Sequence, residues 1–355
     1  MVVAGATGYV GSRLVPELLE RGHHVVAAAS SDPAPARFSW GGDVEWARMQ
    51  ATSPAAVRSA VAGADAVCYL VHSLDGRDFA ARDAVAARTM RAALDRQGVA
   101  RLVYLSGLVP AGPLSPHLAS RFEVERELAA SRAATLSIRA GLVIGAGSTS
   151  FEILRQVASV VLVQAIPPWL RSWVQPVGIG DVVLALADAV QQPQRCGAVD
   201  LGGPDLLSYA DLLGLYCDLA GLIRLQLPGP RVPAAVAGGL TGLLCAAPWW
   251  TVGALVGSLQ HDMVCRPPPH VLPAPTPAAD AIGRALRCPS DRWEATSYGG
   301  DPYVRAASDP AWTQPPRWDG RLAGVPLYPR GVLGGLAHVV EHRLRALARQ
   351  AARPA

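Results

Sequence analysis

The stretch VVAGATGYVGSRL, residues 2–14, constrains this chain more than any other part of it. Its glycines Gly5, Gly8 and Gly11 repeat at GxxGxxG spacing between a short apolar run and an amphipathic one. That order places them on a strand-to-helix turn. Gly5 admits the tight turn, Gly8 lets a pyrophosphate come close to the backbone, and Gly11 lets helix and strand pack closely. Thr7, Tyr9 and Val10 complete the loop. The helix that follows offers N–H groups and a partial positive charge at its N-terminus. Such a loop predicts a βαβ unit holding a dinucleotide.

The first 150 residues then alternate short β-branched runs with amphipathic ones, the pattern of a parallel sheet with crossover helices. Strands are expected over 1–4, 24–28, 44–47, 66–71, 101–106 and 135–139, with helices over 10–21, 54–62, 78–97 and 116–131. Ser53 and Pro54 supply an N-cap with proline in the first helical position, and Gly22 and Gly98 follow helix ends. Beyond residue 150 a helix is expected over 151–163 and a strand over 175–179. Asp181 is read as the N-cap of a helix over 182–190, and a further strand is expected over 198–201. Ser208 and Asp211 have capping-box spacing at the start of another helix. The fold class is therefore α/β: a Rossmann doubly wound parallel sheet with a smaller, mostly helical apolar C-terminal region. The expected organisation is a dinucleotide-binding domain over 1–225, an apolar helical cap or substrate region over 226–290, and an irregular arm with a C-terminal amphipathic helix over 291–355.

Composition narrows the partners. Charged residues make up only 17% of the chain, and the net charge of +4 comes from scattered Arg without a basic run interleaved with aromatics, so nucleic acid is not expected. None of the six Cys forms a CxxC pair, and the first residues run directly into a strand, so a cytoplasmic protein is expected. The segment 232–260 carries no charge. Pro248 splits it into two helices, which are expected to cover a substrate pocket, with peripheral membrane contact and a membrane span as the alternatives. HVVEH at 338–342 has the spacing of an inverted zinc-peptidase motif but lies near the C-terminus with no third ligand after it, so no metal is expected.

The combination GATGYVG at 5–11, YLVHS at 69–73, YLSG at 104–107, IRAGLVIGAGSTSFE at 138–152, QPVGIGDV at 175–182, LGGPDLLSY at 201–209 and SLQHD at 258–262 resembles the short-chain dehydrogenase/reductase superfamily in its atypical or extended branch, and within it the NmrA-like NAD(P)H-binding proteins. The resemblance spans about residues 1–290. It implies a bound NAD(P) and a proton-donating Tyr-x-x-x-Lys pair aided by a Ser at the end of the preceding strand. Ser106 matches that Ser, but His117 and Arg121 stand where Tyr and Lys would be. Their i, i+4 spacing keeps both on one helical face. Histidine is a competent proton donor, and Arg121 can hold the ribose of the cofactor without shuttling a proton.

The cofactor's other contacts are read by position. The second strand ends without the acidic residue that grips an NAD ribose. Ser30 and Ser31 there can bond a 2′-phosphate, with Arg13 or Arg37 folding over it, so NADP is favoured and NAD is the alternative. Gln50 is placed at the adenine edge, and Val71 and His72 just past the fourth strand. Arg139 ends the sixth strand on the same edge, with Gly145–Ser148 as the next turn. The expected function is an NAD(P)(H)-dependent oxidoreductase acting on a small or lipophilic carbonyl or enone. The alternatives are a non-catalytic NAD(P)-binding sensor or partner-binding protein, and a non-redox isomerase or cyclase.

Overall fold

The computed structural model describes residues 1–32, 34–72, 78–287, 301–306, 308–313, 321–322, 325–326 and 332–351. Strands β1 (Val2–Ala4), β2 (Val26–Ala29), β3 (Glu45–Arg48), β4 (Ala66–Tyr69), β5 (Arg101–Gly107), β6 (Ala134–Ala140) and β7 (Gly197–Leu201) form one sheet. Their order is β7-β6-β5-β4-β1-β2-β3, with every neighbouring pair parallel. The order reverses between β1 and β4, and such a switch point leaves a crevice outside the carboxyl ends of the strands.

Strand alternation sorts the core onto two faces. Val3, Cys68, Val103 and Ile138 join one cluster with Leu14, Val15 and Leu18 of α1 (Gly11–Glu20) and Val182 and Leu186 of α6 (Ile179–Gln191). Val2, Val67, Tyr69, Leu102 and Tyr104 join another. Its partners are Val57 of α2 (Pro54–Ala60), Met90 and Leu94 of α3 (Phe79–Gln97), and Val124 and Leu128 of α4 (Pro116–Ala129). This is the doubly wound α/β fold, with helices on both faces of a buried parallel sheet.

Several boundaries have a local cause. The Ser53 hydroxyl accepts from the Ala56 N–H ahead of α2, and Gly98 takes the left-handed conformation (φ +67°) that ends α3. Ser208 and Asp211 form the full capping box of α7 (Tyr209–Leu219). Other expectations need correction. The helix expected over 151–163 is α5 (Thr149–Val160), and Val163 instead opens a short strand, Val163–Ile166, paired with Leu225–Pro228. The strand expected over 175–179 is two short strands, Trp173–Val174 and Val177–Gly178, on either side of Pro176. Asp181 does not cap α6: that helix starts at Ile179, and the carboxylate accepts from the N–H and hydroxyl of Thr276.

The uncharged segment forms α8 (Ala234–Leu244) and α9 (Trp249–Ser258), with Pro248 as N-cap of the second. Their contact is built on glycine. A methyl on Gly238 would stand 3.2 Å from Gly253 Cα, and one on Gly242 would lie 3.4 Å from Trp249 Cβ. Small residues therefore face inward and let the backbones close. A separate cluster of Ile153, Ala234, Cys245, Ala247, Val252 and Val256 seats the pair on α5. No helix among the described residues is long and apolar enough to cross a membrane. Helices α10 (Ala278–Leu286) and α11 (Val332–Ala351) complete the architecture, α11 packing against α5.

Candidate functional site

The sequence candidates converge on the carboxyl edge of the sheet at the switch point. Gly5 to Gly11 follow β1, Ser30 and Ser31 follow β2, Gln50 lies just past β3, and Val71 and His72 lie just past β4. Ser106 is the last residue but one of β5, and α4 brings His117 and Arg121 over it.

The glycine loop has the geometry its spacing predicts. Gly5 sits at φ +90°, and a Cβ on it would come within 3.3 Å of the Leu70 backbone, so the loop lies against the end of β4. A Cβ on Gly11 would fall 2.2 Å from the Gly5 carbonyl oxygen, so helix α1 reaches this close to the loop only with glycine there. Gly8 is exposed, and no side chain caps the N-terminus of α1. An exposed glycine beside an uncapped helix end is a cradle that fits a pyrophosphate. Thr7 and Val10 flank it, half-buried. Tyr9 turns inward: its hydroxyl is buried against Gly145, and Arg13 stacks on its ring with 4.0 Å from guanidinium carbon to centroid. Only the Tyr9 backbone remains on the cradle side, and burial pushes the phenol's pKa far up.

Arg13 cannot fold over a ribose phosphate. Its guanidinium is buried and forms a two-pronged ion pair with Asp309, both N–H···O distances being 2.8 Å. Further donations reach the carbonyls of Tyr9, Ala146, Pro302 and Val304. The basic group that does stand beside Ser30 and Ser31 is Arg48, paired in register with Ala29 and 3.0 Å from the carboxylate of Asp32. Ser30, Ser31 and Gln50 are exposed, as is Arg37.

At the other end of the crevice, Ser115 caps α4 by accepting from the Leu118 N–H, and its hydroxyl meets that of Ser258 of α9 at 3.0 Å. The helix that carries His117 is thus tied to the apolar pair. His117 lies in the first turn, its ring 6.0 Å from that of His72, centroid to centroid. Burial, with the Arg121 charge second, lowers its pKa to about 4. It is therefore a neutral imidazole at neutral pH, a hydrogen-bond donor and not an imidazolium acid. Arg121 donates to the Leu105 carbonyl and lies over the Tyr104 ring at 5.4 Å. Ser106 is buried, and its hydroxyl has no well-formed hydrogen bond among the described residues. Arg139 is a clamp: it grips Glu125 of α4 with two hydrogen bonds, of 2.9 and 2.6 Å. Ser73 lies outside the described residues.

His117 and Gly107 stand at one side of a cavity of about 270 Å³, and Thr241 of α8 and Leu255 of α9, from the segment expected to cover a pocket, line it as well. Ile153, Leu154 and Val157 of α5, Trp169, Leu213 and Leu255 supply much of its wall, with Ser150, Thr241, Tyr209 and Ser258 as polar exceptions. Among the described residues no Arg, Asp or Glu lines it. The chain contains no lysine at all, so none reaches the site from elsewhere in the fold. The side chain of His338 lies outside the described residues, and no group of three or more potential metal ligands occurs among those described.

Fold and cradle together define a doubly wound α/β protein whose first loop fits a pyrophosphate. The NAD(P)H-binding family model matches residues 5–141, from the first glycine of the loop to the end of β6. No curated sequence matches the chain. Among solved structures it is similar to MoeE5 in complex with UDP-glucose and NAD, at 21% identity and a TM-score of 0.53 over 65% of this chain and 87% of that one. It is also similar to the UDP-glucose 4-epimerase of Thermus thermophilus complexed with NAD, at 19% identity and a TM-score of 0.53 over 73% of this chain and 98% of that one. The UDP-N-acetylglucosamine 4-epimerase of Bacillus cereus aligns at 15% identity and a TM-score of 0.52, over 72% and 94%. At these identities the likeness is one of fold. The match to the NAD(P)H-binding model spans residues 5–141, and His117 and Arg121 of α4 fall inside it.

Proposed function

We propose that this protein is an NAD(P)(H)-dependent oxidoreductase acting on a small, lipophilic carbonyl or enone. The observation that carries the reading is the uncharged, largely apolar cavity with His117 at its edge, next to the strand end that bears Ser106. A site with one or two polar groups in an apolar wall suits an apolar substrate with a single oxygen to fix. The nucleotide sugars named for the similar structures suit it poorly, because among the described residues no cation lines the cavity to meet a diphosphate.

The cradle from Gly5 to Gly11 would hold the pyrophosphate, and Arg121 would hold the nicotinamide ribose. When bound, the dinucleotide supplies or accepts the hydride. The chain's own part is electrostatic. Neutral His117 and Ser106 each offer one hydrogen to the substrate oxygen, stabilising the negative charge that grows there. Arg121 adds fixed positive charge, the apolar wall excludes water, and the final proton comes from solvent. NADP is favoured over NAD by Ser30 and Ser31 together with Arg48, whose charge meets Asp32 and a 2′-phosphate alike.

The test is a calorimetric titration with NADPH and with NADH, followed by a screen of lipophilic enones and ketones for coenzyme oxidation. Turnover is expected, with His117→Ala lowering kcat/KM by about 10²-fold while dinucleotide affinity holds. Binding without turnover would favour the sensor reading, which the missing Tyr and Lys support. No binding of either nucleotide would end both.

A further inference from the structure

Helix α8 is built inside out for a protein in water. Its small residues, Gly238 and Gly242, face α9, while Val236, Leu240 and Leu243 at i, i+4, i+7 spacing face solvent, Leu243 with 63% of its surface exposed. Both helices carry GxxxG, at 238–242 and 253–257, the pattern by which helices approach closely where apolar side chains have lipid to face. Trp249 opens α9 with 60% of its surface exposed, and Trp favours the membrane–water interface. Arg343 of α11 donates to the carbonyls of Gly242 and Cys245, which brings α11 to the C-terminal end of α8. There α11 adds its own exposed stripe of Leu336, Val340 and Leu344. Its sequence holds Arg343, Arg345 and Arg349 against the single acid Glu341.

We propose that α8 and α11 dock this protein on an anionic lipid surface. Neither α8 nor α9 is long enough to span a bilayer, so contact is in the plane of the interface. The excess of Arg over Glu in the sequence of α11 favours an anionic surface, and a two-fold contact would bring two such basic helices together, which argues against a second copy. Thr241 of α8 and Leu255 of α9 line the cavity, so the helices that meet lipid also wall the pocket. A lipophilic substrate dissolved in the membrane would enter beside them. The docking itself does not depend on hydride transfer.

The experiment is flotation of the full chain with vesicles of phosphatidylcholine, with and without phosphatidylglycerol. The protein is expected to float with the anionic vesicles, less so as salt rises, and the double variant Leu240→Glu, Leu243→Glu should lose about tenfold or more of that binding. Both positions are exposed, so the variant should keep its Tm and its NADPH affinity, and these controls separate lost docking from lost folding. A wild type that stays at the bottom of the gradient with both compositions overturns the proposal. So does a concentration-dependent dimer that the same substitutions split, which would assign the face to a second copy.

Discussion

Asp309→Ala is the most informative single change. Asp309 and Arg13 are 296 residues apart, and both side chains are 0% exposed. The carboxylate takes two hydrogen bonds of 2.8 Å from the guanidinium and a third, also 2.8 Å, from the Ala306 N–H. Removing one member of a buried pair leaves the other's charge uncompensated, which costs about 3–5 kcal/mol. In a chain of this length 1 kcal/mol moves Tm by only a degree or two, so the expected drop is about 4–7 °C. Arg13→Leu should cost a similar amount, since it buries a bare carboxylate and also strips a donor from the carbonyls of Tyr9, Ala146, Pro302 and Val304.

The double variant distinguishes the pair from the site around it. If the cost of each single change is mainly a stranded charge, the double should fall short of the sum by about 2 kcal/mol. Calorimetric unfolding of the four proteins at neutral pH gives the cycle. An Asp309→Ala protein within about 1 °C of wild type would refute the reasoning. So would strict additivity, because it would mean the two charges do not feel each other.

Three further outcomes are expected. Gly11→Ala puts a methyl 2.2 Å from the Gly5 carbonyl oxygen, a backbone atom that cannot swing aside, so it should destabilise by about 2 kcal/mol or more and abolish NAD(P)H binding. Gly8→Ala meets that atom only at 3.2 Å and should fold near normally while binding dinucleotide more weakly; equal Tm losses in the two variants would contradict the assigned roles. Arg48→Ala should lower NADPH affinity by about tenfold and leave NADH affinity nearly unchanged, read by calorimetry, and parallel loss of both would remove Arg48 from the phosphate site. His117 titrates near 4 when folded against an ordinary 6.5. Between those values the unfolded chain holds more protons, so this group's contribution to stability is complete above about pH 6.5 and is lost as pH falls towards 4. Denaturant midpoints across that window should fall less steeply in His117→Ala than in wild type, and identical slopes would show that the imidazole is not held neutral by burial.

What the sequence disclosed follows a physical division. The placement of the glycine loop and its neighbours on one sheet edge was legible because each of these residues lies within a few positions of a strand end, and strand ends announce themselves through alternation, glycine and caps. Gly5 to Gly11, Ser106 and His72 needed only the right count of strands to fall on one edge. Arg13 shows where that logic fails. Locally it is a basic residue two positions past the loop, free to serve a phosphate, and only the arrival of Asp309 and the carbonyls of 302 and 304 takes it out of use. Asp181 failed likewise, its carboxylate drawn from capping to Thr276, 95 residues away.

The apolar cavity beside His117 was the least legible part, because its wall comes from segments around 107–118, 140–170, 209–213 and 241–263 that have no pattern in common. Helix α8 adds a second obstacle. A helix apolar on all sides carries no period to separate inside from outside, and the usual rule would bury Leu240 and Leu243 and expose Gly238. The fold does the reverse, since only glycine lets α8 approach α9 to the distance their backbones reach. The reversal is an argument about environment as well as packing. Large apolar side chains left facing outward along i, i+4, i+7 need something apolar to meet, and the stripe on α11 repeats the same demand beside them.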